Sequence, residues 1–167
     1  MIVCGPVEIV PTTEEHLSSF WEILSEWPDM WADKERVTGE VEFRVWWDRT
    51  ALDSLTGIDI KTGRIVGGGY LDKIYPGYWA AINIFKRKGY LNPKMIAAVV
   101  KTGIPYFFER HDIIKLQGYT RKENKAAIRL LKRVGLKVDG ILRSQAKVNG
   151  VWADYVVSSI LRSEVKT

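Results

Sequence analysis

Ile82-Asn83-Ile84-Phe85, an apolar strand-like run, feeds the basic stretch Lys86-Arg87-Lys88-Gly89-Tyr90-Leu91, and Asn92-Pro93 then opens a helix. This strand, loop and helix, with a second such unit ending at Leu136, decides the fold. Asn is a favoured N-cap, and Pro suits the first helical position, where the N–H has no intrahelical partner to lose. Met95, Ile96, Val99 and Val100 recur at helical spacing and give one apolar face. Gly103 and Pro105 interrupt the pattern and predict a kink or break there. The second unit begins with a strand from Ile113 to Tyr119. A helix starts near Asn124, with Ala126, Ala127, Leu130, Leu131 and Val134 on one face and Gly135 as its C′ residue. A cationic loop at the mouth of a helix is a place to hold phosphate groups. The first helical N–H groups lack partners, and the helix dipole favours an anion there.

Upstream, Val7 to Val10 reads as a short strand. Thr12 with Glu15 fits a capping box, and Leu17, Phe20, Trp21 and Leu24 form a helical stripe that Pro28 ends. A second short helix is expected between Lys34 and Trp47. Leu52 to Ile60 and Ile65 to Leu71 read as antiparallel neighbours around the turn Lys61-Thr62-Gly63-Arg64. Gly67-Gly68-Gly69 implies a bulge or the close approach of another backbone. Tyr75-Pro76-Gly77 is a turn before the strand Tyr78 to Phe85. Downstream, Asn149-Gly150 joins Ile141–Val148 to Val151–Ile160 as a hairpin, because a type I′ turn needs positive φ twice. Antiparallel runs mixed with βα units imply an α+β fold, α/β/α in layers. The sheet is expected to be mixed and mostly antiparallel, six- or seven-stranded, with a central parallel pair.

The 167 residues suit one domain, 1–167. Hydrophobic content of 46% with 27% charged residues is that of a soluble globular chain, and no apolar run approaches membrane-spanning length. The N-terminal residues do not read as a signal peptide. Cys4 is the only cysteine, which favours a reducing, cytoplasmic setting. His16 and His111 lack metal-ligand spacing, so no metal is expected. The net charge of +5 invites a nucleic-acid reading, but no helix-turn-helix or RNP-type motif accompanies it. Lys86, Arg87, Lys88, Arg121, Lys122, Lys125, Arg129, Lys132 and Arg133 instead gather in the two loop–helix units, as a compact pocket for a small polyanion would require. Trp27, Trp31, Trp46 and Trp47 fall in one stretch, and core packing is their first expected use.

The order of these pieces resembles the GNAT N-acetyltransferase superfamily over nearly the whole chain. Lys86-Arg87-Lys88-Gly89-Tyr90-Leu91 is similar to the family's pyrophosphate signature, Q/R-x-x-G-x-G/A. Asn124-Lys125-Ala126-Ala127 with Leu130 to Leu136 is similar to its N-x-x-S/A…L-x-K-x-G-F segment. Asp139-Gly140 and Gly150-Val151-Trp152-Ala153-Asp154 resemble the C-terminal pattern of the branch that holds the ribosomal-protein, aminoglycoside and polyamine acetyltransferases. The resemblance implies an enzyme that moves an acetyl group from acetyl-CoA, its co-substrate, to a primary amine on a small molecule, protein or peptide. A monomer or homodimer is expected, with no membrane or nucleic-acid partner.

The resemblance implies cofactor contacts from Asn83, Ile84, Phe85, Lys86, Arg87, Lys88, Gly89, Tyr90, Leu91, Asn92, Asn124 and Lys132. Asn124 reads equally as a plain N-cap. Acetyl-CoA would lie where the strands Tyr78–Phe85 and Ile113–Tyr119 splay apart. Asp72, Asp154 and Glu123 are candidates to take the amine proton, and Tyr119 to protonate the thiolate. Trp27, Trp31, Trp46 and Trp47 with Asp29, Asp33, Glu40, Glu42 and Asp48 would suit a cationic acceptor. The sequence departs from the family at Leu91, where Gly or Ala is usual, at Ala127 for Ser, and at Leu131 for a tyrosine acid. These departures keep open a second reading, a GNAT-like fold that has lost catalysis and serves as a CoA-binding or interaction module.

Overall fold

Eight strands and four α-helices make up the computed structural model, which describes residues 1–165. The strands are β1 (Ile2–Cys4), β2 (Val7–Pro11), β3 (Asp53–Asp59), β4 (Ile65–Tyr75), β5 (Trp79–Lys86), β6 (Lys115–Arg121), β7 (Lys137–Val148) and β8 (Val151–Leu161). They form one sheet in the order β1-β2-β3-β4-β5-β6-β8-β7. Every neighbouring pair is antiparallel except β5 and β6. The α+β class and the central parallel pair are as expected, but the count of six or seven strands falls short. The extra strand is Ile2–Cys4, which folds back on Val7–Ile9 across Gly5, a turn residue at φ +57°.

Helices α1 (Leu17–Ser25) and α2 (Glu40–Thr50) cover one face of the sheet, and α3 (Pro93–Arg110) and α4 (Lys125–Val134) the other. The α3–α4 core is mostly aliphatic and includes Leu71, Ile104, Leu116 and Val134, with Phe107 and Phe108 among them. The α1–α2 core is aromatic. Phe20 meets Trp47 at 5.1 Å and Phe85 at 4.7 Å between ring centres, and Trp47 lies 5.0 Å from Tyr70. Trp31 and Trp47 are buried there and Trp46 packs against them, so these tryptophans do serve as core.

Three local expectations are corrected. The residue that meets His16 at the start of the first helix is Thr13, whose N–H donates to His16 Nδ1 at 3.1 Å. Thr12 bonds the buried Thr56 hydroxyl instead, at 3.0 Å. The segment before α2 forms 3₁₀ turns at Pro28–Met30 and Asp33–Glu35, and the helix begins at Glu40, later than expected. Helix α3 continues through Pro105 without a break. Pro105 deprives the carbonyl of Lys101 of its partner, but Lys101 is exposed, so water can take that bond. Gly103, Ile104, Phe107 and Phe108 hold the rest of the helix on the sheet.

The glycine triplet marks a close backbone approach, as read from sequence. A Cβ on Gly67 would lie 2.5 Å from the Phe85 carbonyl oxygen, and one on Gly68 2.8 Å from that of Leu55. Asn149 and Gly150 both take positive φ, +51° and +78°, at the hairpin between β7 and β8. Gly135 ends α4 in the left-handed conformation at φ +112°.

Candidate active site

Parallel pairing between β5 and β6 spans only Trp79–Lys115, Ala80–Leu116 and Ala81–Gln117. Both strands run on beyond that point. β5 stays bonded to β4 as far as Lys86, and β6 to β8 as far as Arg121. The two strands therefore part after Ala81 and Gln117, and the sheet opens as a fork. Inside it, backbone groups that a continuous ladder would consume are left for another partner. This is the splay that the resemblance implied.

The side chains at the fork follow from strand parity. Asn83 lies opposite Tyr70, and residues facing each other across an antiparallel pair share a face. Tyr70 belongs to the aromatic core, so Asn83 turns toward α1 and α2. Asp72 falls where the β4–β5 register slips between Leu71 and Lys73, a bulge that leaves it without a cross-strand partner. Burial drives the Tyr70 phenol far above its ordinary range, and the charge of Asp72 adds to that push. Asp72 and Asn83 are the two residues with a deeply buried, unbonded side-chain atom among the described residues: Asp72 Oδ1, an acceptor, and Asn83 Nδ2, a donor. On β6, Tyr119 is partly exposed and bonds Gln117 through its hydroxyl. Tyr155, which the sequence reading passed over, pairs with Arg121 across β8. Its phenol is raised by burial, and the charge of Arg121 opposes that rise. Only the strand register reveals it.

The basic loop divides its charges. Arg87 is buried and faces α1, donating to Glu22 Oε2 at 2.9 Å, Glu26 Oε1 at 3.1 Å and the Ile65 carbonyl at 2.9 Å. The sequence expected Arg87 to help hold a diphosphate; here its guanidinium is engaged within the protein. The reason is parity: Arg87 N–H donates to the Val66 carbonyl, so the ladder runs one residue past the strand and aims this side chain the way of Phe85. Phe85 is itself core, so of the two only backbone can face a ligand. Lys86 and Lys88 hold their ammonium groups 5.1 and 4.8 Å from the Trp27 ring centre. Trp27 Nε1 donates to the Lys86 carbonyl at 2.7 Å, and burial lowers the Lys86 pKa. Trp27 is thus a platform beneath the loop.

Beyond Lys88 the backbone turns at Gly89, φ +68°, where a Cβ would meet no neighbour within 4 Å and the constraint is conformation alone. Tyr90 bonds Asp59 through its hydroxyl. Leu91 packs on the aliphatic core with Ile84, so its side chain leaves the loop's outer edge. Asn92 Oδ1 accepts from the amides of Lys94 and Met95, both at 3.0 Å, and Pro93 has no N–H. The first turn of α3 is therefore already capped. Among the described residues, the amides of Gly89, Tyr90, Leu91 and Asn92 donate to nothing. The anion-accepting donors lie in the loop, one step before the helix. A cavity of about 90 Å³ beside this loop, under α3, is lined by groups such as Leu55, Ile84, Leu91 and Val100. Its lining is mostly apolar, with Thr56, Lys86, Arg87 and Tyr90 as the polar members.

The remaining candidates are mostly occupied. Asp154 accepts from Ser144 N–H at 2.9 Å, which together with Lys122 holds its carboxyl below the usual range. Asn124 accepts from Ala127 N–H at 3.1 Å and caps α4. Lys132 is exposed in the last turn of α4, and Leu131 is buried. Asp29 and Asp33 bind the Asn149-Gly150 turn. Glu40 is bonded by Ser18 and Arg44, and Glu42 by Thr38, which keeps both carboxyls low.

No family model matches the chain. It is 27% identical over 103 residues to a Bacillus subtilis (strain 168) protein named "Probable N-acetyltransferase YjcK". That stretch is 60% of this chain and 57% of the relative, so the match spans little more than half of the curated protein. Among solved structures, a GNAT-family acetyltransferase from Bacillus anthracis superposes with a TM-score of 0.79 at 17% identity, over 98% of this chain and 99% of that one. Spermidine N-acetyltransferase from Vibrio cholerae, in complex with CoA and spermine, gives 0.81 at 15% identity, over 96% and 98%. The chain has the fold of the GNAT acetyltransferase superfamily.

Proposed function

We propose that the protein is an acetyl-CoA-dependent N-acetyltransferase that passes the acetyl group to a primary amine by direct attack on the thioester. The observation that carries this reading is the fork between β5 and β6, which opens beside a loop with four unused amides. A pantetheine arm is a flat, amide-bearing chain, and a parted strand edge offers it the backbone bonds that a missing strand would have made. The diphosphate belongs against Gly89 to Asn92, with Lys86 and Lys88 supplying charge from the Trp27 side. An N–H of β5 near Asn83 to Phe85 is the donor for the tetrahedral oxyanion. The likeness to a spermidine acetyltransferase in complex with CoA and spermine supports a CoA thioester as the donor, and an amine acceptor is proposed on that ground as well.

CoA and acetyl-CoA should each raise the melting temperature, since a ligand that binds only the folded state adds about 2.7 kcal/mol at 100 times its Kd. Thiol release should then follow with at least one of spermidine, an alanyl peptide or an aminoglycoside. No thermal shift at millimolar acetyl-CoA would sink the reading. A shift without thiol release across the panel would favour the binding-module alternative, toward which Leu131 and Ala127 lean.

A further inference from the structure

Burial without a partner is costly for a polar atom, and native folds rarely leave one so. Asp72 Oδ1 and Asn83 Nδ2 are such atoms, of opposite hydrogen-bonding sense, on adjacent strands at the root of the fork. Asn83 pairs with Tyr70, two residues before Asp72, so the two are diagonal neighbours across the β4–β5 pair. An acceptor beside a donor, both unspent, describes the negative image of a ligand that brings an N–H to one and a carbonyl oxygen to the other. An amine approaching a thioester brings both. The register slip leaves Asp72 without a cross-strand partner, at the level where β5 and β6 part.

We infer that Asp72 is the catalytic base for the acceptor amine and that Asn83 donates to a carbonyl oxygen of the thioester substrate. This rests on the N-acetyltransferase reading and adds the residues that act on the reacting atoms. The ammonium gives a proton to Asp72, and the freed lone pair forms the C–N bond at the thioester carbonyl carbon. The tetrahedral adduct then collapses: the C–S bond breaks with its electron pair on sulfur, and the proton still carried by the adduct nitrogen passes to that thiolate, so a neutral amide and a free thiol are the products. Asp72 as a residue is half-buried, so the proton it holds has a route to water. Of the rival bases, Asp154 is spent on Ser144 and Lys122.

Four variants test this. Asp72→Asn should lower kcat by roughly 10²-fold or more, the usual share of a general base, while CoA still binds as tightly. It should melt no lower than wild type, because the atom replaced has no bond to lose. Asp72→Ala should recover part of its turnover with added formate, which restores a carboxylate, whereas Asp72→Leu should not. Asn83→Ala should raise the KM for acetyl-CoA. Wild-type turnover in Asp72→Asn would overturn the inference and leave the acetyltransferase reading standing. A lowered melting temperature with loss of CoA binding would mark a structural role and overturn it too. Wild-type protein that releases no thiol with any amine would overturn both.

Discussion

Arg87 shows how one side chain can separate charge from function. It sits in the most basic run of the sequence, yet it is 7% exposed and spends its guanidinium on Glu22, Glu26 and a carbonyl. Glu22 remains largely in water, so this is an ion pair with one buried partner, and its removal strands Glu26 more than Glu22. Arg87→Ala should therefore lower stability by about 2 kcal/mol, less than the breaking of a fully buried pair. Urea denaturation would measure that, and titration with CoA at a permissive temperature should find affinity unchanged. A large loss of affinity with little loss of stability would return Arg87 to the phosphate site. The sequence holds the signal that separates these outcomes, since Asn83, Phe85 and Arg87 share a parity along an extended strand. Composition shows the charge; only parity shows its direction.

The strand–loop–helix units were legible because short-range chemistry fixes them. Asn92-Pro93, Asn124, Gly135 and Asn149-Gly150 each carry a local requirement, an N-cap, a left-handed C′ residue or a type I′ turn, and each is met. The bulge at Asp72 and the passage of α3 through Pro105 were not legible, because they depend on what the neighbouring strand and the solvent-facing carbonyl of Lys101 allow. The stretch from 29 to 50 was hardest to read, and the reason is visible at its contact with the β7–β8 hairpin. Asp33 takes the amides of Asn149 and Gly150, both at 2.8 Å, and Asp29 takes the Asn149 side chain at 2.9 Å. Residues more than a hundred positions apart thus fix each other's conformation, and neither segment announces the other. Acids expected to attract an amine are instead a clasp for a turn. Asp33→Ala should cost about 1–2 kcal/mol. Hydrogen exchange at Asn149 and Gly150 should quicken by about ten-fold, the equivalent of 1.4 kcal/mol of local protection, with β5 and β6 unaffected. Unchanged exchange at those two amides would show that the hairpin holds its shape without the clasp.

For the molecule as a whole, one titration stands where the α1 layer meets the sheet. His16 joins the start of the α1 layer to β3, accepting the Thr13 N–H through Nδ1 at 3.1 Å and meeting the buried Thr56 hydroxyl at 3.0 Å. A nitrogen that accepts a backbone N–H cannot also carry a proton, and burial lowers the His16 pKa from its ordinary 6.5. The sign follows. Below about 6.5 the unfolded chain binds a proton at this residue that the folded chain refuses, so stability falls as pH drops toward the folded value. The contribution is whole above the unfolded pKa and diminishes below it. The carboxyls of Asp59, Glu40, Glu42, Asp154 and Glu164, all held low by hydrogen bonds, act in the same direction at lower pH. Acid should therefore destabilise the protein in two stages: a first just below 6.5 set by His16, and a second near and below the ordinary carboxylate range. Melting temperature followed from pH 8 to pH 4 would resolve them. His16→Gln keeps a polar side chain that does not titrate, and it should erase the first stage while leaving the second. If the first stage persists in that variant, the layer is not held by the neutral imidazole.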